Sequence, residues 1–242
     1  MAKAVVVGVG GEPGLGAALC ERFAAEGYHV LAAGRTLARL EPITEKIEQS
    51  GGRANPVPVD ATKEADVIRL FDLAMAEDGE PADLVVYNAG NNAPHDFRTM
   101  PAEFFEETWR VGCLGGFLVG REAARRLVPL GRGTVIFTGA TASLRSRPPF
   151  TAFASAKAGL RAVAQSMARE FGPEGIHVAH VIIDGGINGE RLKTLAPQMA
   201  ESRGDDGLLD PAGIADVYWH LHRQHPTAWS FEVDLRPFKE AF

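Results

Sequence analysis

The sequence predicts an α/β fold, with residues 1–242 forming one domain on a doubly wound, mostly parallel seven-stranded sheet with helices on both faces. Three observations predict it. Short β-branched runs alternate with stretches of helical periodicity along the whole chain, the β-α-β-α pattern of a parallel sheet covered on both sides. Runs such as "KAVVV" and "ADLVVY" are almost continuously apolar rather than alternating, as strands buried on both faces must be. With 242 residues, 45% hydrophobic and 23% charged, the chain can bury one full core.

Taken in order, "KAVVVGV" (Lys3 to Val9) is the first strand and runs into glycines. "LGAALCERFAAEG" is a helix that stops at Gly27, and "HVLAAG" is the second strand. "LARLEPITEKIEQSGG" is a helix closed by Gly51 and Gly52, in which Pro42 must sit in the first turn or kink the axis. "ANPVPVD" is the third strand, and its two prolines suit a sheet edge. "EADVIRLFDLAMAEDG" is a helix and "ADLVVYNAG" the fourth strand. A long helical stretch follows from Pro101 to Leu127, then the fifth strand "GTVIFTG", a helix from Phe150 to Phe171 and the sixth strand "HVAHVIID". "DPAGIADVYWHLHRQ" begins with Asp210 as N-cap and Pro211 at the first helical position. "AWSFEVDLR" is the last strand. Residues 188–210, including "AESRGDDGLLDP", read either as a mobile substrate loop or as a plain surface loop. There is no internal repeat and no low-complexity linker.

The formal net charge is -6 and the pI near 5.7, with no Lys/Arg cluster, so neither a nucleic-acid nor a membrane partner is expected. Two distant cysteines, Cys20 and Cys113, suit a reducing compartment. "MAKAVVVGVG" is too short an apolar run for a signal peptide or a span, which makes a cytoplasmic location the default expectation. No metal site is read.

Chemistry enters at "VGVGGEPGLG". Gly10, Gly14 and Gly16 lie between the first strand and first helix, with Leu15 opening the helix; Gly8 and Gly11 leave the register open. Glycines there permit a tight turn and close approach of a pyrophosphate to a helix N-terminus. The alternative is a merely structural turn. The second strand ends "LAAGRT", with Arg35 and Thr36 where a carboxylate would bind the ribose hydroxyls of NAD. Arg35 suits a 2′-phosphate, which favours NADP(H) over NAD(H), unless it is only a solvated residue at a helix start.

With "GGEPGLG", "YNAG" and "FASAK" in this order, the chain resembles the classical short-chain dehydrogenase/reductase family from about Lys3 to Ile187. The resemblance implies a single Rossmann-type NAD(P)(H)-binding domain that acts on a small-molecule substrate as a homodimer or homotetramer. It implies an adenine contact at Asp60, beside Ala61, and a sheet-stabilising role for Asn88, Ala89 and Gly90, with Tyr87 replacing the family's first Asn. It places Gly185 and Ile187 in the segment lining the nicotinamide pocket, with Asp184 in place of its proline.

The family's catalytic Asn, Ser, Tyr and Lys carry over unevenly. The Tyr slot holds Phe153, the Lys slot Lys157, the Ser slot Ala140 and the Asn slot Gly112. Seven residues before Lys157 stands Phe150, so a wider spacing restores no phenol, and Tyr28, Tyr87 and Tyr218 are far from Lys157 in sequence. Replacement donors are His95, Thr141, Ser143, Ser155 and Lys157 itself. His95 is the one with a neutral-range pKa, or else a solvated loop histidine, and Ser155 should face away. Lys157 is expected to hold the cofactor ribose, and Phe150, Phe153, Pro148 and Pro149 to make the pocket apolar.

Two readings of function remain. One is an NADP(H)-dependent oxidoreductase that transfers hydride to or from a small organic substrate, with an altered proton-donor site. The other is a catalytically inactive nucleotide-binding sensor or structural subunit. An enzyme should keep a closed cleft beside the nicotinamide; a sensor would fill it. The stripes in "FLVGREAARRLV" and "AGLRAVAQSMAREF" are read as a subunit interface or as ordinary core. The tail, with Phe238 and Phe242, packs on a partner subunit or on its own body.

Overall fold

A computed structural model describes residues 1–76 and 79–240. The seven strands are β1 (Lys3–Val7), β2 (His29–Gly34), β3 (Arg53–Pro58), β4 (Ala82–Tyr87), β5 (Gly133–Thr138), β6 (Ile176–Ile183) and β7 (Glu232–Leu235). They form one sheet in the order β3-β2-β1-β4-β5-β6-β7, and every pairing is parallel. β3 is an edge, as its prolines require.

Alternation along each strand sends side chains to two cores. Ala4 and Val6 of β1 pack with α1 (Leu15–Ala25), α2 (Leu37–Gln49) and the late helix. Val5 and Val7 pack with α3 (Glu64–Ala74) and the central helices. Pro42 is the sixth residue of α2, inside the helix and past its first turn, which leaves the second of the two alternatives the sequence offered. The third helix ends at Ala74, before the "MAEDG" expected to continue it; Glu77 and Asp78 of that stretch lie outside the described residues.

The stretch from Pro101 to Leu127 divides into α4 (Ala102–Trp109) and α5 (Gly115–Leu127), joined by a π-helical turn at Arg110–Leu114. Close packing explains the irregularity. A Cβ on Gly112 would stand 2.6 Å from Cβ of Ala156, and one on Gly115 would stand 2.4 Å from the Tyr87 hydroxyl. That hydroxyl donates to the Val111 carbonyl inside the widened turn. Helix α6 (Thr151–Phe171) carries Lys157 along the same face of the sheet. After β6 come α7 (Glu190–Leu195), α8 (Pro197–Ser202) and α9 (Pro211–His222), the last capped by Asp210 as expected.

Candidate functional site

The strand order reverses direction between β1 and β4, so the crevice beyond their C-terminal ends is where this fold places a ligand. Gly8, just after β1, has φ +95°, and a Cβ there would stand 2.4 Å from the Ala89 nitrogen. Gly16, inside α1, lies so close to Val9 that a Cβ would stand 2.8 Å from its Cα. Gly14 is the N-cap of α1, without a side-chain cap and without an acid in the first turn. A Cβ on Gly10 would meet nothing within 4 Å. The turn is thus open at Gly10, while the Glu190 carboxylate lies against Gly11, where a Cβ would stand 1.9 Å from its Oε2; the uncapped helix N-terminus beside it is the kind of place that takes a pyrophosphate. Gly8, one of the two glycines that left the register open, is thus a position where the turn leaves no room for a side chain.

Gly34 closes β2 against the turn, where a Cβ would stand 2.4 Å from the Val9 carbonyl oxygen. Arg35 and Thr36 follow, both exposed. Asp60 Oδ1 accepts from the Thr62 nitrogen at 3.0 Å and its hydroxyl at 2.7 Å, so that oxygen is spent on its own loop beside Ala61. Oδ2 lies 3.9 Å from Lys63 Nζ.

Asn88 binds the glycine turn, its Nδ2 donating to the Gly8 carbonyl at 3.2 Å and its backbone nitrogen to Val7 at 2.8 Å. Ala89 packs against Gly8, and Gly90 faces Lys157 and Phe153. Lys157 is 3% exposed, and its Nζ donates to the Thr138 carbonyl at 2.6 Å. Burial brings its pKa down to about 8. The Phe153 ring lies 5.9 Å from Nζ, so an aromatic face stands beside the ammonium where the resemblance expects a phenol. The chain's own tyrosines are committed elsewhere: Tyr28 to His222 at 2.8 Å, Tyr87 to Val111 and Tyr218 to the Thr138 hydroxyl at 2.8 Å. The Asn slot is closed sterically, since Gly112 abuts Ala156.

The remaining donors divide. The Thr141 hydroxyl donates to Asp184, whose other oxygen lies 3.0 Å from Arg236 and 3.5 Å from Arg145. Asp184 thus anchors the segment of Gly185 and Ile187 by charge, where the resemblance expects proline. Gly185 packs on Pro237, and Ile187 bridges to Leu209. Ser143 is buried beside Ala140, and its Oγ accepts from the Ala140 nitrogen at 3.1 Å. His95 is held at the rim: its nitrogen donates to the Pro149 carbonyl at 2.9 Å, and its ring packs 5.0 Å from Phe104. None of its described contacts reaches Lys157. Sequence reasoning missed His180, Glu232 and Arg161, which join Ser143 in one polar line. The available signal was two histidines inside an otherwise apolar strand.

Residues 188–210 carry α7 and α8, and their start covers the crevice. The Glu190 nitrogen donates to the Pro13 carbonyl at 2.7 Å, and Arg191 donates to Asn91 at 2.9 Å and to Asn92 at 3.1 Å. The segment thus links the glycine turn to the loop after β4.

Comparison with known proteins identifies the family and the fold. The family profile described as short chain dehydrogenase matches residues 3–200. A short-chain dehydrogenase from Rhodopseudomonas palustris, whose crystal structure is solved, is 39% identical, with a TM-score of 0.83 over 98% of this chain and 99% of that one. The short-chain dehydrogenase/reductase eriH of Hericium erinaceus is 33% identical over 72% of this chain and 71% of its own length. The uncharacterized oxidoreductase YuxG of Bacillus subtilis (strain 168) is 34% identical over 78% of this chain, and the match covers 28% of YuxG's length.

Proposed function

The chain belongs to the short-chain dehydrogenase/reductase family, and from that premise we propose that it is an NADP(H)-dependent oxidoreductase, transferring hydride to or from a small organic substrate at a site with an altered proton donor. The observation that carries this reading is the frame around Lys157: glycine turn, uncapped helix N-terminus, Asn88 and a buried amine facing Gly90. The bound nicotinamide would supply or take the hydride. Gly10, Gly14, Leu15 and Gly16 would hold its pyrophosphate, and Lys157 its ribose. Asn88, Ala89 and Gly90 keep the turn and the lysine in register. Phe150, Phe153, Pro148 and Pro149 supply apolar surface that excludes water.

Arg35, exposed at the end of β2 with no carboxylate beside it in sequence, supports NADP(H) over NAD(H). Asp60 and Ala61 would sit near the adenine, and Gly185 and Ile187 near the nicotinamide. Residues 188–210 serve as the substrate loop. We also propose a homodimer or homotetramer built on the outer faces of α5 and α6. These flank an apolar groove of about 700 Å³, lined by Phe117, Val128, Val163, Met167 and Phe171. Free, buried Cys20 and Cys113 suit a reducing cytoplasm. No described helix is long and apolar enough to cross a membrane.

Calorimetric titration with NADPH and NADH tests the reading. Tight NADPH binding, weakened at least tenfold by Arg35→Glu while NADH binding is not, is the expected result. The second reading, an inactive sensor or structural subunit, draws on Phe153 and gains ground if the cofactor binds but no carbonyl, imine or enone substrate is turned over.

A further inference from the structure

The Ser slot holds Ala140, yet a hydroxyl stands beside it. Ser143 Oγ accepts from the Ala140 nitrogen at 3.1 Å and faces His180 Nε2 at 3.4 Å. His180, fully buried on β6, turns Nδ1 toward Glu232 Oε2 at 3.0 Å. Glu232, on β7, is gripped from α6 by Arg161, with Nε to Oε2 at 2.6 Å and Nη2 to Oε1 at 2.8 Å. Gly139 makes room for the imidazole, since a Cβ there would stand 2.3 Å from His180 Nε2. Arg161 lies one helical turn after Lys157, so the line ends beside the retained lysine.

The charges set the polarity of this line. Arg161 is permanently protonated and holds Glu232 as a carboxylate, with a pKa below the usual range. A carboxylate only accepts, so His180 carries its proton on Nδ1 and presents Nε2 as an acceptor. Burial keeps the ring neutral, its pKa brought down to about 4, against the pull of Glu232 and helped by Lys157 and Arg161. The Ser143 hydroxyl proton therefore points to Nε2. Oγ also meets the Ala140 N–H, beside the Ser slot itself. A buried line of this kind adds little net stability compared with apolar packing, so stability alone does not account for it.

We propose that Ser143, backed by His180, Glu232 and Arg161, accepts the hydroxyl proton of an alcohol substrate in place of the missing phenol. This rests on the oxidoreductase reading above. In the step, the carbinol C–H bond breaks and its hydride goes to the oxidised nicotinamide cofactor. The alcohol O–H proton passes to Ser143 Oγ as the Ser143 proton passes to His180 Nε2, and the C=O bond forms. Glu232 offsets the charge of the imidazolium, which returns its proton through the same hydroxyl to solvent. Ser143 is the catalytic residue; His180, Glu232 and Arg161 act through it.

The experiment uses the full chain and the variants Ser143→Ala, Ser143→Thr, His180→Gln and Glu232→Gln. Each is first titrated with NADP⁺ by calorimetry and its melting temperature measured. Each is then assayed for NADP⁺ reduction against a panel of primary alcohols, secondary alcohols and sugars. Expected is cofactor affinity within about twofold of wild type throughout. Expected too is a kcat lowered by about 10²–10⁴ in Ser143→Ala and His180→Gln, with the KM for alcohol little changed. Ser143→Thr, which keeps the hydroxyl, should retain most of the rate. Unchanged kcat in Ser143→Ala or His180→Gln overturns the proposal, as does a cofactor-binding wild type that oxidises none of the panel. A wild type that binds neither NADP⁺ nor NADPH overturns the oxidoreductase reading itself.

Discussion

Substituting Phe153→Tyr places a phenol beside the one amine of the site, and its titration reports what Lys157 still does. Nζ lies 5.9 Å from the ring centroid. At an effective dielectric near 20, a unit charge about 6 Å from a phenolate stabilises it by about 3 kcal/mol, or roughly two pKa units. Partial burial of the ring works the other way. Lys157 itself loses its proton at about pH 8, so the two groups titrate as a coupled pair: part of the phenolate signal should appear at about pH 8 and the rest at about 10, instead of a single step at about 10. The background is silent in that range, because burial raises the pKa of Tyr28, Tyr87 and Tyr218. Ultraviolet difference absorbance of the phenolate against pH is the assay. The double variant Phe153→Tyr, Lys157→Met is the control, expected to titrate above 10. A phenol that titrates above 10 with Lys157 present, or at the same pH in both variants, refutes the idea that Lys157 remains poised to activate a hydroxyl at this slot.

Three further outcomes follow from the same geometry. His180 is neutral in the fold, with a pKa brought from 6.5 to about 4, and His222 shifts the same way. Their contribution is present above pH 6.5 and is lost as pH falls toward 4, by about 3 kcal/mol for His180; urea unfolding at a series of pH values should show a shallower acid limb in His180→Gln. Gly8→Ala puts a side chain at φ +95° and against the Ala89 backbone, so it should cost at least about 2 kcal/mol and lower the melting temperature by about 4 °C or more. Phe117→Asp, on the exposed face of α5, should shift the oligomer toward monomer in sedimentation velocity without changing the far-ultraviolet circular dichroism of the subunit.

Much of the fold was legible because its signals are local. Most central strands are short β-branched runs, the longer helices carry an apolar stripe, and Asp210-Pro211 reads as a helix start from two adjacent residues. Other features depend on what lies across the sheet. The helical pattern from Pro101 to Leu127 looks continuous because one π-helical turn barely disturbs the periodicity. Its cause, the contact of Gly112 with Ala156 and of Gly115 with Tyr87, joins residues far apart in the chain.

The site divides in the same way. By itself the sequence determined that Phe153 and Lys157 stand four residues apart on one helix, that Ala140 and Gly112 carry no polar side chain, and that the glycine turn leads into a helix start. Those are facts of residue type at fixed spacing, which the backbone period of strand and helix converts directly into position. Only the tertiary structure decided what surrounds them. It buries Lys157 against the Thr138 carbonyl, bonds Thr141 to Asp184, pins His95 to the rim, and sets Ser143 in line with His180 and Glu232. A hydrogen bond between β6 and β7, or between a loop and a strand forty residues away, depends on the order in which strands stack. That order is set by how whole faces pack together, and no short stretch of sequence carries it.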